Sequence, residues 1–272
     1  MPDKMDDAKS QKDGNAPKSV KISVYRHDPA VRKSGTYQDF EVPVQEGMVV
    51  LDAINYIVNN YDTTLAVRWN CKAARCGSCA AEINGVPKLM CKTRLETLPD
   101  KVVVAPMRAF PLVKDLVTDV SENYEIEKRM LPFSPRKNQK EPWIIDEMDV
   151  GRSQEFRKCI ECFLCMDVCH VVRSHNTEYI GPRHVVKAAS LDMHPMDSID
   201  RSRTLAKQQG LGYCNVTKCC QEVCPEHIRI TDNAIIPEKE RSVDNFYDPI
   251  MGIVARLRGK EKGTDSSAIE GD

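Results

Sequence analysis

Twelve cysteines fall into three groups along this 272-residue chain, and their spacing limits what it can fold into. The first group reads Cys71-x4-Cys76-x2-Cys79-x11-Cys91. The second reads Cys159-x2-Cys162-x2-Cys165-x3-Cys169, and the third Cys214-x5-Cys220-x3-Cys224-Pro225, with Cys219 left over. Any fold must bring each set of sulfurs together, so the loops bearing them are constrained before a core is considered. Disulfides suit short exported chains. They fit poorly a long chain whose Cys-x2-Cys-x2-Cys run is ill suited to pairing all its members locally. Zinc usually takes paired Cys-x2–4-Cys units. An asymmetric one-loop triad with a distant fourth cysteine is instead the plant-type 2Fe–2S spacing.

Charge and hydropathy narrow the setting. Lys and Arg number 39 against 40 Asp and Glu, a net charge of −1, so no polycationic surface points to nucleic acid. No apolar run approaches the roughly 18 residues that span a bilayer. Met1 to Lys18 is polar and lacks the features of a secretory or mitochondrial leader. The expectation is a chain in the reducing cytosol of a bacterium, where clustered cysteines are metal ligands or redox thiols.

In the first group, Cys71, Cys76 and Cys79 converge from one loop, and Cys91 closes the shell. Gly77 is expected to let the backbone approach the cluster closely. Lys72, Arg75 and Lys92 either offset cluster charge or form a solvated face. The second group is the bacterial ferredoxin run, with His170 where Pro is usual. Counting backward from Cys224-Pro225 in the same frame gives Cys220, Thr217 and Cys214, so the third run lacks its second cysteine. In two-cluster ferredoxins the fourth cysteine of each run ligates the other cluster. Crossed in this way, Cys159, Cys162, Cys165 and Cys224 hold a 4Fe–4S cluster, and Cys169, Cys214 and Cys220 a 3Fe–4S cluster. Cys219 is off frame. It is either a small buried residue beside the cluster, a replacement for Cys220, or a fourth ligand that converts the site to 4Fe–4S.

Local patterning predicts α+β structure in two domains. Ser19–His27 and Gln38–Val44 alternate as strands, and Val50, Leu51, Ile54, Ile57 and Val58 make one helical stripe. Asn84-Gly85 marks a hairpin between Ser78–Ile83 and Val86–Met90, and Lys101–Ala105 is another strand. Leu112–Met130 is rich in helix formers, Leu131–Trp143 reads as a surface loop, and short helices follow from about Ser153. The expected divisions are a tail over 1–18, a first domain over 19–108, a second over 109–255, and a charged tail over 256–272.

Arg68-Trp69-Asn70-Cys71 through Cys79, Asn84-Gly85 and Met90-Cys91 resemble the N-terminal segment of the iron–sulfur subunits of succinate dehydrogenase and fumarate reductase. Cys159-Ile160-Glu161-Cys162, Gly181-Pro182 and Cys224-Pro225 resemble their C-terminal one. The resemblance covers roughly residues 20–250. It implies an N-terminal β-grasp plant-type ferredoxin domain and a C-terminal all-α bacterial-ferredoxin-type domain. It also implies a flavoprotein partner with covalent FAD, an integral membrane anchor, and a path from FAD through 2Fe–2S, 4Fe–4S and 3Fe–4S to quinone. The chain would then sit on the cytoplasmic face of the bacterial inner membrane, held by its partners. It carries no G-x-G-x-x-G fingerprint of its own, because Gly210-Leu211-Gly212 lacks the third glycine. Two segments depart from the family near the expected quinone. Cys169-His170-Val171-Val172-Arg173 lacks the usual Pro and Trp residues, and Asn215 replaces a His after Cys214. These variant segments are similar to those of an actinobacterial subgroup with an atypical anchor. His170 and Arg173 either take over contacts near the quinone or serve packing. His27, His175, His184, His194 and His227 lack ligand spacing and are expected to be structural.

Overall fold

The computed structural model describes residues 19–31, 33–137, 141–174, 178–246 and 253. The two predicted tails and His175 lie outside them. Strands β1 (Ser19–Arg26), β2 (Thr36–Pro43), β3 (Ala80–Ile83), β4 (Val86–Leu89) and β5 (Lys101–Ala105) form one mixed sheet, in the order β2-β1-β5-β3-β4. β1 pairs antiparallel with β2 and parallel with β5. A parallel pair needs a crossover, and helix α1 (Val50–Asn60) lies within it. Val50, Leu51, Ala53, Ile54 and Ile57 are the buried face of α1, while Val58 is half-buried. That face shares a core with Ile22 and Val24 of β1 and Val102 and Val104 of β5. At the helix start the Val49 N–H donates to Asp52 Oδ2 at 3.2 Å, which places a negative charge at the positive end of the helix dipole.

The Asn-Gly hairpin forms as predicted. Asn84 and Gly85 have φ of 50° and 78°, the left-handed pair that a primed two-residue turn demands. The Asn84 N–H donates to Val103 O at 2.8 Å, and the Val103 N–H donates to Asn84 Oδ1 at 2.7 Å. The turn is thereby fixed to β5. Cys79 and Cys91 flank the hairpin, so its register fixes their separation.

The helix formers of Leu112–Met130 do not make one helix. Leu112–Lys114 (β6) and Val117–Thr118 (β7) form a small hairpin, and only Ser121–Lys128 (α2) is helical. Tertiary contacts override propensity here. Asp115, at φ 47° and 2% exposed, accepts from Arg26 Nε at 3.1 Å, the His27 N–H at 2.9 Å and the Ala66 N–H at 2.9 Å. Leu116 joins the sheet's core.

The rest of the described chain is helical: α3 (Glu147–Gln154), α4 (Leu164–Val168), α5 (His170–Arg173), α6 (Pro182–Asp192), α7 (Ser202–Lys207), α8 (Cys219–Glu222) and α9 (Ile236–Phe246). A π-helical turn, Ile230–Ile235, leads into α9. These elements share a second core built on Phe156, Met166, Val185, Leu205, Leu211 and Ile235. The expected surface loop after Leu131 is pinned down at its start. Arg201 donates to Leu131 O and Pro132 O, both at 2.8 Å, and the Ser134 N–H donates to Asp197 Oδ1 at 3.2 Å.

Polar contacts, some buried and some exposed, join the two parts. Glu82 in β3 is 2% exposed and accepts from Arg108 Nε at 2.6 Å and from Arg173 of α5. The Ala109 N–H donates to Asp167 Oδ1 at 2.9 Å, and Lys92 Nζ donates to Pro225 O at 2.7 Å.

A second buried network ties α6, α7 and α9 together. Arg201 bridges Asp192 at 2.6 Å and Asp197 at 2.9 Å, and Arg241 reaches Asp192 at 3.3 Å and Glu238 at 3.7 Å. Burial, with Asp192 adding to it, raises the Glu238 carboxyl from its ordinary 4.5 to about 7. The folded state therefore binds more protons than the unfolded one between those values, and stability falls as pH rises through that window. Glu238→Gln is expected to reduce the gain in stability on acidification from pH 8 to pH 5, read as urea midpoints. An unchanged difference between the two midpoints would refute this account.

Candidate functional site

The first cysteine loop is built from left-handed turns. Lys72, Ala74 and Gly77 have φ of 56°, 54° and 69°, and alternation of hands along a loop turns successive N–H groups toward one point. The amides of Ala73 and Arg75 donate to Cys71 Sγ, and that of Ala74 to Cys91 Sγ, each at 3.3 Å. The Cys71 and Cys91 amides donate to Cys76 Sγ and Cys79 Sγ, each at 3.5 Å. The structure thus brings together all four cysteines of the first group. Burial opposes ionisation of Cys76, yet hydrogen bonds from the Ser78 hydroxyl and the Cys71 and Ser78 amides hold its thiol down at about 6. Burial pushes Cys79 up to about 12.

Gly77, at φ 69°, also makes a close contact across the domain boundary. A Cβ there would lie 2.6 Å from Cys162 Cα, so the glycine admits the second cysteine run rather than a cluster alone. The cations of the loop are largely solvated. Lys72 stacks over Trp69 at 4.5 Å and Arg75 is exposed, while Lys92 reaches across to Pro225.

Cys159, Cys162, Cys165 and Cys224 line one cavity. Its other walls include Ile160, Phe163, Val186, Ile228 and Ile230, with Arg183 as the cation. Arg183 is buried and donates to Glu161 at 2.7 Å and Glu127 at 3.2 Å. Burial raises the Cys162 thiol to about 12 and Cys165 well above its ordinary value. Iron supplies the positive charge that makes buried thiolates favourable. Four sulfurs around a cavity suit a cluster, and among the described residues no three Cys, His, Asp or Glu side chains converge to hold a single metal ion. Four cysteine sulfurs around one cavity fit the donor set of a tetranuclear iron–sulfur cluster.

Cys169, Cys214 and Cys220 form a third gathering. Burial raises Cys169 and Cys220, the latter to about 12, and each feels Cys214 and Cys219 as neighbouring charges. The Cys165 thiol, in the four-cysteine cavity, also feels Cys220, so the two C-terminal sites adjoin.

The two C-terminal runs repeat each other in backbone as well as in frame. Glu161 and Phe163, on either side of Cys162, have φ of 55° and 59°. Val216 and Lys218, on either side of Thr217, have φ of 61° and 63°. Left-handed backbone at a β-branched Val is strained, and it persists only where the surroundings impose it. A 3₁₀ turn precedes each run, Phe156–Lys158 and Leu211–Tyr213, and a short helix within each, α4 and α8, carries Cys165 and Cys220. Thr217 therefore occupies the place of Cys162, and Cys219 that of Leu164. Cys219 is half-buried, and its sulfur lies 3.4 Å from Thr217 Oγ1.

The residues expected near a quinone divide. Asn215 Nδ2 donates to His170 Nε2 at 2.8 Å, and both residues are exposed beside Cys214 and Cys169. Arg173 takes the packing role, committed to Glu82 and the Asp167 backbone. His184 is fully buried, lies 3.4 Å from Asn123 Oδ1, and is lowered by burial to about 4, as a structural histidine should be. Sequence spacing missed Arg183, Tyr179 and Thr231, all buried beside the sulfurs. None sits at a fixed interval from a cysteine. The Pro182-Arg183 start of α6 was the nearest signal to any of them.

Comparison with known proteins agrees with this geometry. The family described as 2Fe-2S iron-sulfur cluster binding domain matches residues 21–125, and that described as 4Fe-4S dicluster domain matches residues 155–228. A fumarate reductase iron-sulfur subunit from Mycobacterium tuberculosis is 33% identical over 218 residues, covering 77% of this chain and 87% of that protein. A subunit of the fumarate reductase (CoM/CoB) from Methanothermobacter marburgensis is 32% identical over 224 residues, 82% of this chain but 44% of that protein. A chain of the Mycobacterium smegmatis Sdh1 complex in the apo form aligns with a TM-score of 0.82 and 52% identity, over 86% of this chain and all of that one. With its two cluster-binding domains and these relatives, the chain belongs to the iron–sulfur subunits of the succinate dehydrogenase and fumarate reductase family.

Proposed function

We propose that the chain is the electron-carrying subunit of a succinate:quinone oxidoreductase, standing between a flavoprotein that oxidises succinate and a membrane anchor where quinone is reduced. One observation carries this reading: the three sulfur groups form a contiguous row. Gly77 packs its backbone on Cys162, and the Cys165 thiol feels Cys220. Bound iron–sulfur clusters supply one-electron carriers, and close spacing is what single-electron transfer needs. The chain's own residues do the holding. Cys71, Cys76, Cys79 and Cys91 take the 2Fe–2S cluster. Cys159, Cys162, Cys165 and Cys224 take the 4Fe–4S cluster, and Cys169, Cys214 and Cys220 the 3Fe–4S cluster.

The exposed His170–Asn215 pair beside the last site is the element facing the quinone and its anchor. Attachment to the cytoplasmic face of a bacterial inner membrane is through the partners; no described helix is long and apolar enough to cross a membrane. A second reading, fumarate reduction by a thiol donor, draws on the CoM/CoB relative, of which this chain spans less than half. The 52% identity to a chain of an Sdh1 complex favours the first reading.

Electron paramagnetic resonance of the purified complex, with iron and sulfide counts, tests the inventory. One dinuclear, one tetranuclear and one trinuclear signal are expected, and a colourless zinc protein would sink the proposal. Cys224→Ser is expected to damage the tetranuclear signal, because Cys224 lines that cavity with Cys159, Cys162 and Cys165. A tetranuclear signal of full intensity would refute the crossed ligation. Cys219→Ser is expected to leave all three signals in place, since Cys219 stands where Leu164 stands in the other run. Loss of the trinuclear signal would instead make Cys219 a ligand.

A further inference from the structure

The three-cysteine site differs from the four-cysteine cavity in its hydroxyl groups. The larger cavity is walled chiefly by aliphatic and aromatic side chains. Around Cys169, Cys214 and Cys220 two buried hydroxyls converge. Thr231 is 1% exposed, and its Oγ1 lies 3.4 Å from Cys220 Sγ. Tyr179 is 4% exposed, and its hydroxyl has no hydrogen-bond partner among the described residues. The groups nearest it in charge are the Cys214, Cys169 and Cys220 thiols.

Both hydroxyls are held from their backbones. Gly210, at φ +62°, lets the segment entering Cys214 close on Tyr179; a Cβ there would lie 2.4 Å from Glu178 O. The Ile180 N–H donates to Gln209 O at 3.2 Å and fastens the two segments together. The Thr231 N–H donates to Gln221 Oε1 at 3.2 Å, which fixes the π-helical turn against α8. A buried hydroxyl left without a partner is costly, so a tyrosine kept unpaired here needs an acceptor at the site it faces.

We propose that Tyr179 and Thr231 donate hydrogen bonds to the sulfurs of Cys214 and Cys220 and thereby raise the reduction potential of the cluster bound there. The inference rests on the trinuclear assignment made above. A thiolate bound to iron carries no proton, so in each pair the O–H is the donor. Reduction adds one electron and one unit of negative charge to the cluster. Donors aimed at its sulfurs stabilise that state more than the oxidised one, and the potential rises. Neither hydroxyl gives up its proton. The electron arrives from the adjoining tetranuclear site and leaves for the quinone. The hydroxyls thus make the last carrier a better acceptor than the one walled by apolar side chains.

Redox titration of the purified complex, followed by electron paramagnetic resonance, tests this. Tyr179→Phe keeps the ring and removes the donor. It is expected to change the reduced-to-oxidised ratio at fixed potential about tenfold, a fall of about 59 mV for one electron in the trinuclear midpoint. The other two midpoints should stay in place. Thr231→Val should lower the trinuclear midpoint as well, and Thr231→Ser should restore it. In deuterated buffer, the exchangeable-proton coupling on the wild-type trinuclear signal should weaken in Tyr179→Phe. If Tyr179→Phe does not assemble the cluster, the Val and Ser variants of Thr231 decide. An intact trinuclear signal with an unmoved midpoint in both Tyr179→Phe and Thr231→Val overturns the inference alone. A wild-type complex with no trinuclear signal overturns the cluster assignment and the inference together.

Discussion

Bringing buried sulfurs together without leaving their charge unmet is the constraint on which the rest of the structure depends. Thiols such as Cys79, Cys162 and Cys220 sit where burial strongly disfavours a bare thiolate. The chain meets this with backbone rather than with side-chain cations. Left-handed residues at Lys72, Ala74, Glu161, Phe163, Val216 and Lys218 bend each loop around its sulfurs. In the first loop the amide donors to sulfur are resolved one by one. Arg183 is the buried cation of the four-cysteine cavity, and it is itself neutralised by Glu127 and Glu161.

The two domains are scaffolds for that arrangement, and their junction is as specific as their cores. Gly77 lies against Cys162 with no room for a Cβ, so the first and second sulfur groups meet across the domain boundary. Around this contact, Glu82 gathers Arg108 and Arg173, Asp167 caps the Ala109 amide, and Lys92 holds Pro225. Removing one partner from such a buried set leaves an unmatched charge, which is more costly than the intact pair is stabilising. The domain junction therefore behaves as part of the site rather than as a hinge between two independent units.

Much of this was legible in the residues. Period-2 alternation found β1 and β2, the helical stripe found α1, and Asn84-Gly85 found the hairpin, because each is a local rule with a local cause. The cysteine frame found the doubling of the C-terminal runs and the gap at Thr217. Reading failed where distant groups decide the local conformation. The helix formers after Leu112 yield to Asp115, whose carboxylate is claimed by Arg26 and by amides of His27 and Ala66. Residue spacing left Arg173 open between a quinone contact and packing, and Glu82, far away in sequence, holds it.

The sequence by itself determined which cysteines act as sets, since ligand spacing is a property of covalent distance along a loop. It also determined the family, because those spacings recur with the same flanking residues. Only the tertiary structure decided what surrounds each set. It gave Gly77 its neighbour, joined His170 to Asn215, and turned two buried hydroxyls toward one site. Those outcomes depend on contacts between segments that no interval in the chain encodes.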